Sequence, residues 1–214
     1  MKSGQPTILI TGFGPFPGVP VNVSGPFAEE LAIATQRVLA HTSVVAGVLP
    51  TEWSRAPRML EELYFRHRPT IALHFGVSHQ AHAMTVECRA RNIAQRADAS
   101  GLMPDLDHLA PARPSELPVT LPAARIVSRM RKRTIPAVLS NDAGAYLCNA
   151  ILFHSLELMR VMGINGQCGF IHLPTNLARD SRYRGPANAQ RLSFEQARVG
   201  GCEALATLLR RPAA

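Results

Sequence analysis

A cysteine serves as a nucleophile only where its surroundings favour the thiolate, so the four thiols of this 214-residue chain, Cys88, Cys148, Cys168 and Cys202, are distinguished by their settings. Cys148 lies in PAVLSNDAGAYLCNAILFHSL, which reads as a β-type run, an Asn-Asp-Ala-Gly turn and a helix whose first turns hold the cysteine. Free amides and the positive end of the helix dipole stabilise an anion there. Position alone leaves a second reading open, in which Cys148 continues the Ile151, Leu152, Ser155 side as core packing. Cys88, Cys168 and Cys202 lack a strand-to-helix setting and read as structural. A base is offered by His172, at the end of CGFIHLP, a strand stopped by Pro174. The carboxyl ends of strands face the crevice where α/β enzymes bind ligands. Glu87 closes AMTVE, where a carboxylate at a strand end could accept a hydrogen bond from an imidazole and support its protonated form. Taken singly, His172 also fits a satisfied polar residue at a strand end, and Glu87 a surface carboxylate.

The loop ITGFGPFPG, residues 10–18, looks at first like a dinucleotide fingerprint. Pro15 and Pro17 stand where a phosphate-binding helix would begin, and Gly18 comes one residue late, so a nucleotide site is rejected. Phe13 and Phe16 instead occupy a turn after the first strand, where they could wall a small uncharged pocket. The cysteines form no CxxC pair, and no histidine stands at zinc-ligand spacing, so neither a disulfide framework nor a metal site is implied.

The elements that must position these groups alternate. Short β-type runs at Thr7 to Thr11, Ser43 to Leu49, Thr70 to Phe75, Ala83 to Cys88, Ala137 to Ser140 and Gly169 to Leu173 are separated by helical spacing. That pattern indicates an α/β sheet covered on both faces. Helices are expected at Pro26 to Leu39 and near Pro57 to Arg66. A third, Gly144 to Met162, is apolar almost all round and so is expected to be the most buried. Ser193 and Gln196, at capping-box spacing, open a C-terminal helix that contains Gly200 and Gly201. Five prolines between Ala99 and Pro122 rule out a continuous helix or central strand there. The stretch from Pro174 to Ala189 is expected to be a second irregular excursion.

An apolar fraction of 46% supports a single domain spanning 1–214 with its own core. The run Ile8 to Ile10 is too short for a signal-peptide core, and no stretch approaches the length of a membrane helix, so a cytoplasmic protein with no membrane association is expected. The formal charge of +8 invites a nucleic-acid reading. Its arginines are scattered, however, apart from the run Arg125, Arg129, Arg131, Lys132, Arg133, read as a solvated helix end, and Arg179, Arg182, Arg184 in a loop. No nucleic-acid partner is expected.

Four segments occur in order over most of the first 174 residues: GFGPF at 12–16, GVS at Gly76 to Ser78 followed by TVE ending at Glu87, SNDAGAYLCN at 140–149, and GFIHLP at 169–174. Together they resemble pyroglutamyl peptidase I, the pyrrolidone-carboxylate peptidase family of cysteine peptidases. The resemblance implies an α/β/α sandwich with a mostly parallel, mixed sheet, and a Glu, Cys, His triad falling on Glu87, Cys148 and His172. It implies removal of N-terminal pyroglutamyl (5-oxoprolyl) residues from peptides through a thioester, without a cofactor. Phe13 and Phe16 match the family's ring-binding aromatics, Tyr146 and Leu147 precede the nucleophile where pocket residues lie, and the Gly76-Val77 backbone is expected to read the lactam. The segment after Glu87, CRARNIAQRADASG, departs from the usual bacterial pattern, so no second oxyanion donor is assigned, with Arg89 and Arg91 as candidates. Members range from monomer to tetramer, which leaves a homo-oligomer, dimer or tetramer, open. Two rival readings are an RNA-directed hydrolase of peptidyl-tRNA hydrolase type and a silent relative that binds pyroglutamyl peptides without turnover.

Overall fold

The computed structural model describes residues 6–39, 41–175, 177 and 192–210. Its strands are β1 (Thr7–Phe13), β2 (Ser43–Leu49), β3 (Ile71–Ser78), β4 (Met84–Glu87), β5 (Arg89–Arg91), β6 (Glu116–Pro118), β7 (Ala137–Ser140) and β8 (Gln167–Pro174). The helices are α1 (Ser24–Val38), α2 (Ala56–His67), α3 (Ala123–Lys132), α4 (Leu147–Val161) and α5 (Phe194–Leu209). Six strands form one sheet in the order β2-β1-β3-β8-β4-β7, and β5 pairs with β6 apart from it. Every neighbour in the large sheet is parallel except β4 against β8. The alternating pattern implied an α/β sheet, and its mostly parallel, mixed order is the one the family resemblance implied.

Period-two alternation splits the buried side chains between the two faces. Ile8, Ile10, Leu73, Phe75, Ile171 and Leu173 pack with α1, α3 and α5 residues such as Phe27, Ile126 and Leu205. Leu9, Phe13, Ala72, Cys168 and Phe170 pack with α2 and α4 residues such as Leu60, Tyr64, Ile151 and Phe153. With both faces covered, β1, β3 and β8 need apolar residues at nearly every position, as in TILITGF and IALHFGVS. Helix α4 buries nine of its fifteen residues, so the expected central helix is present.

Three elements differ from the sequence reading. Helix α4 begins at Leu147 rather than Gly144, because Gly144 sits at φ +83° and Tyr146 is extended. Helix α3 is a full amphipathic helix: Ile126, Val127 and Met130 are buried, and the basic run supplies its outer side and end. Within the proline-rich excursion, Glu116–Pro118 forms a short strand against Arg89–Arg91. The expected C-terminal helix α5 runs through Gly200 and Gly201, where any side chain would collide with Met84 and Leu31, so its close packing requires glycine. The expected capping box is formed, Ser193 Oγ accepting from the Gln196 amide at 3.1 Å and Gln196 Oε1 from the Ser193 amide at 3.0 Å. The excursion expected at 174–189, with Arg179, Arg182 and Arg184, lies outside the described residues except for Pro174, Thr175 and Leu177.

Candidate active site

Strand parity brings three separated segments to one place. In β3 and β8, Gly76 and His172 are register partners, and both belong to the face that meets α4. Thr85 of β4 stands opposite His172 in the antiparallel pair. Met84 and Val86 point into the other core, so Glu87 emerges on the α4 side, two residues beyond Thr85.

Cys148 is delivered to that face by the turn after β7. Asp142 Oδ1 accepts from the Gly144 amide at 2.9 Å, and Ser140 Oγ accepts from the Asp142 amide at 3.0 Å, which reverses the chain into Tyr146. The first helical bond runs from the Ala150 amide to the Tyr146 carbonyl at 3.0 Å. Cys148 is thus the second residue of α4, inside the turn whose amides have no acceptor within the helix. No acidic side chain occupies that turn, so the dipole acts on the thiol without a compensating charge. A side chain at Gly76 would approach Cys148 Sγ to 2.8 Å and Phe170 Cζ to 2.8 Å. Only a glycine lets β3 pass beneath the sulfur.

His172 Nδ1 and Glu87 Oε1 are 2.8 Å apart, and the residues are 7% and 1% exposed. An ionised carboxylate only accepts, so Nδ1 carries the hydrogen and Nε2 is left free to face a partner. Burial disfavours a charged His172, but the Cys148 sulfur and then Glu87, each acting by charge and hydrogen bonding, outweigh it and raise its pKa to about 9. The Phe170 ring packs on the imidazole with centroids 4.8 Å apart. Glu87 Oε2 is buried without a partner among the described residues.

The residues expected to bind substrate fall into two groups. Tyr146 and Phe16 are partly exposed, with ring centroids 6.4 Å apart. The Tyr146 hydroxyl is pushed up to about 12 by burial, Asp98 and Cys148. By contrast, Phe13, Val77 and Leu147 are buried side chains, at 2%, 8% and 0% exposure. Phe13 reaches the site through Phe170, 6.5 Å away centre to centre, and Gly76 through its closeness to the sulfur. The two oxyanion candidates are engaged elsewhere. Arg89 donates to the Asn141 carbonyl and to Glu116, while Arg91 pairs with Asp142 and leaves its Nε buried without a partner among the described residues. Among the described residues no group of three or more His, Cys, Asp and Glu side chains is placed to hold a metal ion, and no helix is long and apolar enough to cross a membrane.

Three neighbours were not singled out from sequence. Asn149, next to Cys148 and 0% exposed, accepts from the Arg91 amide at 2.8 Å and donates to the Arg91 and Ile93 carbonyls at 2.7 and 3.2 Å. It anchors the 91–93 backbone to α4. Trp53 stands edge-on to Tyr146 at 5.7 Å, held by bonds from its amide to Asp98 Oδ2 at 2.9 Å and from its indole to the Arg96 carbonyl at 3.0 Å. Phe170 contributes the ring on which His172 rests. Asn149 and Phe170 lie inside quoted motifs, so their position was a usable signal. Trp53 carried no signal beyond being the sole tryptophan.

Comparison with known proteins gives consistent matches. A family model described as pyroglutamyl peptidase matches residues 6–189. The chain is 32% identical over 169 residues to a pyrrolidone-carboxylate peptidase of Pyrococcus furiosus, covering 78% of this chain and 80% of that one. It is 30% identical over 209 residues to pyrrolidone-carboxylate peptidase 1 of Ralstonia nicotianae, covering 97% and 94%. Among solved structures, the pyroglutamyl peptidase I of Bacillus amyloliquefaciens superposes with a TM-score of 0.82 at 26% identity, covering 95% of each chain.

Proposed function

The chain belongs to the pyroglutamyl peptidase family, and on that footing we propose that Cys148, His172 and Glu87 carry out its reaction, removal of an N-terminal pyroglutamyl residue from a peptide. The observation that carries the assignment is the buried His172–Glu87 pair, 2.8 Å apart, on the strand position opposite Gly76, over which the Cys148 sulfur sits. The family match favours this reading over an RNA-directed hydrolase.

The chemistry follows from the charges. With its pKa raised to about 9, His172 is an imidazolium at neutral pH and supports the Cys148 thiolate. The thiolate attacks the pyroglutamyl carbonyl carbon, and the oxyanion that forms meets the free Cys148 amide at the start of α4. Collapse breaks the carbon–nitrogen bond, and His172 gives its proton to the departing amine. Forming the thioester removes the negative charge that had raised the imidazole's basicity, so the neutral ring is stable and ready to act as base. It then takes a proton from water, which attacks the thioester and releases pyroglutamate and Cys148. Glu87 fixes the ring orientation and offsets the imidazolium charge.

A pyroglutamyl ring has no charged α-amine, so its site needs apolar walls and a few amide-directed bonds. Phe16, Tyr146 and Trp53 supply adjoining aromatic surfaces, and the backbone at Gly76 and Val77 lies next to the thiol. We read the chain as one cytoplasmic peptidase domain acting on peptides.

The test is hydrolysis of a pyroglutamyl-linked fluorophore by the unmodified protein, the iodoacetamide-treated protein and Cys148→Ser. Activity is expected in the first alone. Wild-type activity in Cys148→Ser would remove Cys148 from the mechanism.

A further inference from the structure

The sheet face that presents His172 and Gly76 also carries a buried polar group that the proposed chemistry does not use. Thr11, Tyr64, His74, Ser155 and Cys168 are all 0% exposed. His74 bridges Thr11 Oγ1 and Ser155 Oγ, with 2.7 Å at Nδ1 and 2.7 Å at Nε2. Ser155 Oγ also meets the Tyr64 hydroxyl at 2.5 Å and Cys168 Sγ at 3.1 Å.

One proton assignment satisfies the centre of this knot. Ser155 donates to His74 Nε2 and accepts from Tyr64 and Cys168, which uses its one hydrogen and both lone pairs, while His74 Nδ1–H donates to Thr11. A fully satisfied buried network specifies one arrangement, whereas apolar contacts are non-directional and tolerate a helix rotating or sliding.

The knot repeats the layout of the site one layer deeper. His74 precedes Gly76 by two residues on β3, about 6.6 Å along the strand and on the same face. Cys168 precedes His172 by four residues on β8, again on that face. Ser155 follows Cys148 by seven residues on α4, two turns and about 10.5 Å along the same side. The elements bound together at Ser155 are therefore the ones that meet at the thiol.

We propose that this knot is a positioning device: Ser155, seated on His74 and Cys168, fixes the rotation and height of α4 on β3 and β8 and thereby holds the Cys148 sulfur against His172. The proposal rests on the reading of Cys148 and His172 as nucleophile and base. Tyr64 ties the same point to α2, outside the site, and so contributes to stability without setting the thiol.

The test compares Ser155→Ala, Tyr64→Phe and Thr207→Val. The last removes a buried hydroxyl bond in α5, on the far side of the sheet, where Thr207 Oγ1 donates to the Glu203 carbonyl at 2.7 Å. Melting temperature, kcat, KM and the rate of iodoacetamide modification mapped to Cys148 are measured for each. All three are expected to melt lower than wild type. Only Ser155→Ala is expected to lose kcat, fivefold or more with KM within twofold, and to show a parallel drop in the Cys148 modification rate. A Ser155→Ala protein that melts lower but keeps wild-type kcat and modification rate would reduce the knot to a stabilising feature and overturn the proposal. If Ser155→Ala does not fold, Thr11→Val, which frees one end of the His74 ring, carries the test: a kcat loss of at least twofold supports the proposal and a wild-type value overturns it. Modification rates need no substrate, so a wild-type protein without pyroglutamyl hydrolysis would count against the function while leaving this comparison intact.

Discussion

Replacing Gly76 by alanine tests the seat of the thiol. The new methyl would stand 2.8 Å from Cys148 Sγ and 2.8 and 3.2 Å from Phe170 Cζ and Cε1. Ordinary contact begins near 3.4 Å, so the sulfur or the strand has to give by about 0.6 Å, and Phe170, which supports His172 at 4.8 Å, is pushed as well. Overpacking of this size costs about 1–3 kcal/mol of stability. Misplacement of a reacting group by about 1 Å costs on the order of 100-fold in rate, so kcat/KM is expected to fall about 10- to 100-fold. The matched control is Gly169→Ala, whose methyl would press on the Leu121 side chain at 1.9 Å. Leu121 belongs to the opposite core, so this variant should melt lower with nearly wild-type turnover. The assay is pyroglutamyl-fluorophore hydrolysis, corrected for the folded fraction by thermal melts. A Gly76→Ala protein within twofold of wild type, or one losing no more activity than Gly169→Ala at equal loss of stability, would refute the argument that β3 must be bare beneath the sulfur.

Activity is expected to decline as pH rises through about 9, where His172 loses the proton it gives to the leaving amine, as read from the alkaline limb of kcat/KM. The same raised pKa stabilises the fold fully below the unfolded value of about 6.5, and that contribution disappears as pH rises through about 9. Glu87→Gln keeps the shape but removes the charge, so turnover is expected to drop about 10²- to 10⁴-fold, with the alkaline limb moving to lower pH. His74 is held down to about 3 by burial, so the folded state resists its protonation. Stability is expected to fall by about 1.4 kcal/mol per unit as pH drops below about 6.5 toward 3, and denaturant melts of His74→Asn should lack that component.

The candidate site was legible in part because its residues stand at element ends, and the family resemblance joined them. A cysteine after an Asn-Asp-Ala-Gly turn, a histidine before a strand-ending proline and a glutamate closing a β-type run each mark the same edge of a sheet. What sequence could not supply was depth. Phe13 and Phe16 read alike as loop aromatics, yet only Phe16 is exposed enough to touch a ligand, because a strand extended to Phe13 turns that ring inward. Arg89 and Arg91 read as candidate oxyanion donors, whereas the acceptors that engage them, Glu116 and Asp142, lie 27 and 51 residues away. The Ser155 knot joins five elements and has no local pattern at all. Helix α3 was recognised only as a charged end, because its arginines masked the buried Ile126, Val127 and Met130.

The most direct measurement is mass spectrometry of the protein acid-quenched during turnover of a pyroglutamyl peptide. The account predicts a protein heavier by one pyroglutamyl group, the label mapping to the peptide that contains Cys148 and vanishing under hydroxylamine. A label on another residue, or sustained hydrolysis by Cys148→Ala, would contradict it.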